Sequence, residues 1–422
     1  MAIFAPLRTL NAAQRRAFIA AFLGWCLDAF DFFLVTFVVF KIAADFGKAI
    51  PEVAFAITIT LMMRPVGALI FGVLADKFGR RGPLMISVLA YSVFELLTAA
   101  APNFTIFIVL RALYGIAMGG EWGVGAALAL ETLPAEARGI ASGILQQGYA
   151  TGYLLAAVVF GALFEFIGWR GMFVIGALPA FLVLYIRSGV EESPAWRAGQ
   201  SMLAPGKRGN LVASFLHQPM LYIYAILLMA AFNFMSHGSQ DLYPTFLTKQ
   251  RGFDPHVTSY VAIVANIGAI LGGTLFGGLS QRIGRRLTIM IACVLGAVTI
   301  PLWIGAPSTV LLALGGFLIQ FFVQGAWGVV PAHLNELSPG DVRGTFPGLT
   351  YQLGNLISAF SAQWEAAYAT KSFPAPGGGA DYGHAMAIIM VGVFAAVFIL
   401  TAIGRERRGV AFAHAGATAE KG

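Results

Sequence analysis

The sequence predicts an all-α integral membrane protein of twelve transmembrane helices in two pseudo-symmetric six-helix halves, with both termini cytoplasmic. Three observations carry this. Of 422 residues, 58% are hydrophobic and only 11% are charged, where soluble domains carry about 25% charged residues. Apolar windows near the ~20 residues that a helix needs to cross a bilayer recur twelve times. The chain also repeats itself once, at an offset of 205 residues.

The windows fall at 17–42, 53–75, 83–101, 104–130, 140–164, 170–187, 219–245, 257–279, 287–305, 309–333, 345–368 and 384–403. The first follows Arg15 and Arg16 but is a full-length span with no small-residue cleavage site, so it is read as span 1 rather than a signal peptide. Loops are short except residues 188–217, which hold Glu191, Glu192, Pro194, Arg197, Pro205, Lys207 and Arg208. This stretch is the expected cytoplasmic linker between an N-terminal half, 1–187, and a C-terminal half, 218–404. Residues 405–422 form the expected cytoplasmic tail.

Most of the 27 Lys and Arg residues fall in loops on one side if the N-terminus is inside, which sets the orientation. The net charge of +7 is therefore read as topology, with the lipid bilayer and not nucleic acid as partner. Cys26 and Cys293 both lie inside spans, away from any CxxC pair or metal-ligand cluster, and read as small packing residues. No Gly-x-x-x-x-Gly-Lys-Ser/Thr run for ATP is present, and no enzyme signature or cofactor site is expected. The 50 glycines suit close helix packing instead.

The repeat pairs Gly72, Gly79, Arg80 and Arg81 with Gly277, Gly284, Arg285 and Arg286. It pairs Gly120, Trp122 and Gly123 with Gly325, Trp327 and Gly328, and Glu131, Pro134, Arg138 and Gly139 with Glu336, Pro339, Arg343 and Gly344. Gly143 and Gln147 match Gly348 and Gln352. Two halves of one orientation, with a substrate site between them near the midplane, are the architecture of one large transporter class. The run from Gly72 through Asp76 to Arg81, with Lys77 inside it, resembles the loop motif of the major facilitator superfamily. Its copy, Gly277 to Arg286, has Gln281 where the first has Asp76, so a charge latch is expected in the N-terminal half alone. Glu131 to Gly139 and Glu336 to Gly344 resemble the loops after spans 4 and 10 of that superfamily.

Span 7 carries the chemistry. Asn233, Ser236, His237, Gln240 and Asp241 stand at i, i+3, i+4, i+7 and i+8, one face of a helix. Ionisable residues inside a span usually face a cavity or a partner and mark a pathway. His237 and Asp241 are one turn apart, and a histidine beside a carboxylate can take up and lose a proton near physiological pH. The alternative is a static polar contact between helices. The stretch Asn233, Ser236-His237, Ser239-Gln240-Asp241 and Thr245 resembles the seventh-span signature of Jen-type lactate/pyruvate:proton symporters, within the sialate/lactate:proton symporter group. Trp25, Asp28 and Asp31, and Gly119 to Trp122, also look like that group. Gln352 and Asn355 resemble a span-11 pair of the Jen-type carriers. Sialate carriers in the group typically have extra central spans, which this chain lacks.

Arg111 lies about eight residues into span 4, too deep for an interface anchor. Its planar fork matches a carboxylate bidentately, which makes it a candidate anion anchor. The competing reading is an internal ion pair with Glu121 or an acid of span 1. Asp28, Asp31 and Glu121 are further candidate proton carriers, at least one of them balancing Arg111. Arg64 is a gate or a structural pair. Gln147, Gln352 and Asn355 are candidate amide ligands or packing residues. Gln320, Gln324 and Trp327 share one face of span 10, where they narrow a cavity or pack as a group.

These readings converge on a proton-coupled symporter of short monocarboxylates such as lactate or pyruvate, working by alternating access as a monomer in a cell inner membrane. Substrate contacts are expected from Arg111, Asn233, Ser236, Gln240, Gln147, Gln352 and Asn355. Coupling is expected from His237, Asp241, Glu121, Asp28 and Asp31. Gating is expected from Gly72, Asp76, Gly79, Arg80, Arg81, Glu131, Arg138, Glu336 and Arg343. The rivals are a proton symporter of a larger acid, sialate or an aromatic carboxylate, and a transport-inactive metabolite sensor.

Overall fold

The computed structural model describes residues 3–202, 210–372 and 381–412. Lys207, Arg208 and Lys421 lie outside them. Among the described residues the secondary structure is helical throughout. Lipid offers backbone groups no hydrogen-bond partners, so a helix satisfies its own. Span 1 runs Ala12–Phe46, span 2 Ile50–Phe78, span 3 Arg81–Ala99 and span 4 Phe104–Met118, continued by Glu121–Thr132. Span 7 is Pro219–Gln240, span 8 Pro255–Ile283, span 9 Arg285–Gly305 and span 12 Tyr382–Ile403. Span 10 is Thr309–Trp327 followed by Val330–Leu337.

Among the described residues, ten helical stretches are long and apolar enough to cross a bilayer. The count reaches twelve through two breaks. Spans 5 and 6 share the stretch Ala135–Gly189, which turns at Gly168, whose φ of 62° only glycine adopts cheaply. Span 11 is divided into Phe346–Ser358 and Ser361–Ser372, each too short alone. Span 1 extends well beyond the expected 17–42 at both ends. Asn11 sets its start, accepting from Gln14 N at 2.9 Å while Gln14 returns a bond to Asn11 N at 3.0 Å.

The repeat is visible in three dimensions. Asn103 and Ser308, 205 residues apart, cap spans 4 and 10 by accepting from Ile106 N and Leu311 N. Spans 2 and 4 pack closely, as do spans 8 and 10. The reason is a matched pair of glycines. A Cβ on Gly67 would lie 1.9 Å from the Ile116 carbonyl oxygen, and one on Gly272 would lie 1.9 Å from that of Phe321. Only a missing side chain lets the backbones approach this closely. The halves meet along two seams, span 2 against span 11 and span 5 against span 8. Outward faces carry exposed apolar residues such as Phe166, Val298 and Val310, the surface that lipid covers.

The linker is more structured than a connecting loop. It contains helices Pro194–Met202 and Leu211–His217. Glu192 accepts from Arg80 N at 2.8 Å and Arg81 N at 3.1 Å, capping span 3, and Trp196 Nε1 donates to the Asp76 carbonyl at 2.9 Å.

Candidate functional site

The face that carries both described chain ends is closed, and the loop motifs close it. Arg80 donates to Asp76 at 2.9 Å and forks onto Glu131 at 2.9 and 3.2 Å. Glu131 also lies 3.8 Å from Arg343 and accepts from Ser193 Oγ at 2.5 Å. Asp76 then crosses to the other half. It accepts from Gly344 N at 2.6 Å, Thr345 N at 3.0 Å and Thr345 Oγ1 at 2.6 Å. Gly72 lets the strap come near, since a Cβ there would sit 2.6 Å from Thr345 Cα. Gly79 has φ 98°, and a Cβ on it would sit 2.2 Å from Glu192 Oε2.

The second copy closes without a carboxylate at the Asp76 position. Arg285 forks onto Glu336 at 2.9 Å through both Nε and Nη2, and donates to Gln281 Oε1 at 2.9 Å. Gln281 Oε1 accepts from Gly139 N at 3.2 Å. The cross-half latch therefore exists twice, once charged and once neutral, because an amide oxygen accepts as a carboxylate does. The tail covers the same joint. Arg138 donates to the Val410 carbonyl at 2.7 Å, and both Arg138 and Arg343 stack on Phe412, at 3.5 and 4.1 Å from its ring centre.

Above this closure lies an aromatic floor built from both halves. Trp122 and its repeat partner Trp327 both meet Tyr351, at 4.6 and 5.8 Å between ring centres. Trp25 packs on Trp122 and stacks on Tyr149. Beyond the floor is a cavity of about 240 Å³, lined in part by Gln147, Tyr149, Gln240, Asn266, Gln320 and Gln324. Span 7 faces it with a run of polar contacts. Gln240 Nε2 donates to Gln320 Oε1 at 2.8 Å, Gln320 to Ser239 Oγ at 3.0 Å, and Gln324 to Ser236 Oγ at 3.4 Å. His237 Nδ1 lies 3.1 Å from Asp241 Oδ2, both side chains about one third exposed. Asn355 is within hydrogen-bonding reach of His237. Spans 7 and 10 are thus joined by a row of amide and hydroxyl contacts.

Other expected residues fall elsewhere. Asn233 gives its amide to the Met229 carbonyl at 2.8 Å, within its own helix. Gln352 is buried with its Oε1 unpartnered, and Gln147 Nε2 is likewise unpartnered while the residue lines the cavity. Arg111 is paired neither with Glu121 nor with span 1. It donates to Glu95 of span 3 at 2.6 Å, stacks on Tyr114 at 3.9 Å, and is 1% exposed. It is not among the residues that line the cavity. Glu95 was not singled out from the sequence. Its signal is depth: residues 95 and 111 stand at similar distances from the turn joining antiparallel spans 3 and 4.

Arg64 is paired with Asp28 of span 1, at 2.9 and 3.2 Å to its two oxygens. Its guanidinium also lies 5.9 Å from the centre of the Phe32 ring. Asp31 and Glu121 are fully buried, and none of their carboxylate oxygens has a hydrogen-bond partner. Gly24 makes room for Glu121, since a Cβ there would lie 2.2 Å from Oε1.

Twelve spans in two repeated halves, latched on one face and hollow above the latch, define a multi-pass membrane transporter. The profile of the Major Facilitator Superfamily matches residues 21–362, and the chain belongs to that superfamily. It is 31% identical, over 95% of its length and 70% of the relative's, to a carboxylic acid transporter protein homolog of Saccharomyces cerevisiae. It is 30% identical, over 82% of its length and 85% of the relative's, to the sialic acid transporter NanX of Escherichia coli. Among solved structures, the proton:xylose symporter XylE superimposes over 95% of this chain and 98% of that one, with TM-score 0.73 and 16% identity. That last likeness concerns the fold alone.

Proposed function

We propose that this chain is a proton-coupled symporter of short monocarboxylates such as lactate or pyruvate, acting by alternating access. The observation that carries the reading is the span-7 face. His237 and Asp241 form a pair about one third exposed, on the same helix as Ser236 and Gln240, which bond across to Gln324 and Gln320 of span 10. Neutral donors suit an anion's oxygens, and the pair offers a proton to travel with it. The carboxylic acid and sialic acid relatives support an organic acid as cargo.

In this reading Arg64 and Arg111 are the two candidate anion anchors, held by Asp28 and Glu95 respectively. We take Arg64 first because its partner lies on span 1, whereas that of Arg111 lies on its neighbour in the span 3–4 pair. Substrate displaces Asp28 from Arg64, and the freed carboxylate takes a proton. Asp31 and Glu121 join Asp28 and Glu95 as a store of four carboxylates facing two guanidiniums. Buried charges without partners are costly, so part of that store is neutral. Gln147, Gln352 and Asn355 complete the polar lining, and Asn233 orients span 7. One anion with one proton is electroneutral, so a pH gradient alone drives uptake. The latched face is cytoplasmic, as its arginines suggest, the membrane is a cell inner membrane, and a single chain is sufficient.

The test is uptake of labelled L-lactate into proteoliposomes, inside alkaline, with and without a protonophore. Protonophore-sensitive accumulation that pyruvate competes is expected. Competition by sialate or aromatic acids and not by pyruvate would favour the larger-acid reading that NanX suggests. No flux of any acid by folded, inserted protein would overturn the transport reading.

A further inference from the structure

We propose that Glu365, in the second segment of span 11, is a proton-carrying site of the C-terminal half, exchanging its proton with Asp241. This rests on the symport reading above. Glu365 is 2% exposed, and neither of its carboxylate oxygens has a hydrogen-bond partner. It borders a cavity of about 550 Å³ between spans 7, 11 and 12, otherwise lined mainly by apolar residues such as Phe234, Trp364, Ile388 and Val393. It is the one carboxylate on that wall. An isolated ionised carboxylate in such surroundings is strongly disfavoured, and the group holds a proton instead.

Its position ties it to span 7. Gly238 faces it without a side chain, and a Cβ there would lie 3.0 Å from Glu365 Oε1 and 3.2 Å from Met390 Sδ. Gly238 is the residue after His237, on the turn that ends at Asp241. Asp241 stands three residues beyond Gly238, within one helical turn of the point where span 7 meets Glu365. His237 and Asp241 are the titratable groups that flank Gly238 on span 7. From span 11 there is Tyr368, and the span-12 side offers Ile388, Ile389, Met390 and Val393. Among the described residues no Lys or Arg lines the cavity, so none of them holds Glu365 ionised.

Two carboxylates that feel each other share one proton more readily than both ionise. In the step we assign, the O–H bond of Glu365 breaks and an O–H bond forms on Asp241. Glu365 becomes the carboxylate and Asp241 the acid, with one negative charge before and after. Protonated Asp241 then holds His237 less tightly, and the polar side of span 7 exchanges a proton with its apolar side. The proton has a buried berth while the anion site changes sides.

The decisive variant is Glu365→Gln, a neutral copy of the protonated acid with the same shape. In proteoliposomes, two readouts separate the roles. At one proton per anion, a gradient of one pH unit supports about tenfold accumulation of L-lactate. Glu365→Gln is expected to bring that ratio to near one, while L-lactate exchange at equal pH stays within about twofold of wild type. Glu365→Asp should restore part of the accumulation. Wild-type accumulation by Glu365→Gln would reduce Glu365 to packing and overturn the proposal. So would equal loss of exchange and accumulation. A substrate-free readout keeps this apart from the choice of cargo. Infrared spectra of the wild type should show a protonated-carboxyl band that Glu365→Gln lacks and Asp241→Asn shifts. Identical spectra would overturn the proposal even if lactate is carried, and the band would stand even if it is not.

Discussion

Asp76 and Gln281 hold equivalent places in the two halves, and each accepts a backbone N–H from the other half. Asp76 takes Gly344 at 2.6 Å, and Gln281 takes Gly139 at 3.2 Å. The same joint is thus closed twice, by bonds of unequal strength. Hydrogen bonds to charged groups contribute about 1.5–3 kcal/mol and neutral ones about 0.5–1.5. Asp76→Asn should shift the population towards the state open on the latched face by roughly tenfold, and Gln281→Ala by less. Distance distributions between spin labels on the tips of spans 2 and 11 would read this. Equal shifts from both variants would show that the charge is irrelevant.

Arg111 and Glu95 are 1% and 0% exposed at the side chain. Removing one partner of a buried pair leaves an uncompensated charge and costs about 3–5 kcal/mol. Arg111→Gln should therefore lower thermal stability in detergent strongly, and the double variant with Glu95→Gln should recover most of it. A stable Arg111→Gln protein that has lost only lactate binding would return Arg111 to the role of anion anchor.

Arg64 tests the alternative anchor. Lysine keeps the charge and loses the planar fork that suits a carboxylate. Arg64→Lys should weaken lactate affinity about tenfold, measured by concentration dependence of uptake, with a smaller loss of stability than Arg64→Gln. Unchanged affinity in Arg64→Lys would remove this residue from the binding site.

His237 lies 3.1 Å from Asp241. A proton is a co-substrate in symport, so uptake rises as the pH on the loading side falls. His237→Ala should flatten that rise while exchange at equal pH survives. A wild-type pH profile would break the link between this pair and coupling.

What could be read from the sequence follows its physics. Span existence is a local property of apolar windows, and the repeat is a matter of counting, so the twelve spans and the paired motifs emerged from residues alone. Span 7 was readable because a single helix carries Ser236, His237, Gln240 and Asp241 on one face. Glu95 was not, because its pairing depends on matched depth across two spans. Gln281 marked where a charged latch is absent, but that its amide oxygen still accepts the Gly139 N–H was not legible, because that bond depends on how the halves meet. Glu365 sat near the polar end of an apolar window. That it is buried against Gly238 of span 7 depends on how spans 7, 11 and 12 pack, which no local pattern gives.

The seams between the halves have a mechanical meaning. At one, a Cβ on Gly72 would lie 2.6 Å from Thr345 Cα; at the other, a Cβ on Gly143 would lie 3.1 Å from Gly277 Cα. Backbone comes close to backbone at both places. A surface of this kind behaves as a bearing: it turns without rotamers having to exchange, so little entropy is tied up in the stroke. Friction and holding force are then assigned to different places, the smooth glycine contacts on the axis and the Asp76 and Gln281 clasps at the rim. Evolution can retune how long the carrier stays shut by editing the clasps and leave the hinge untouched.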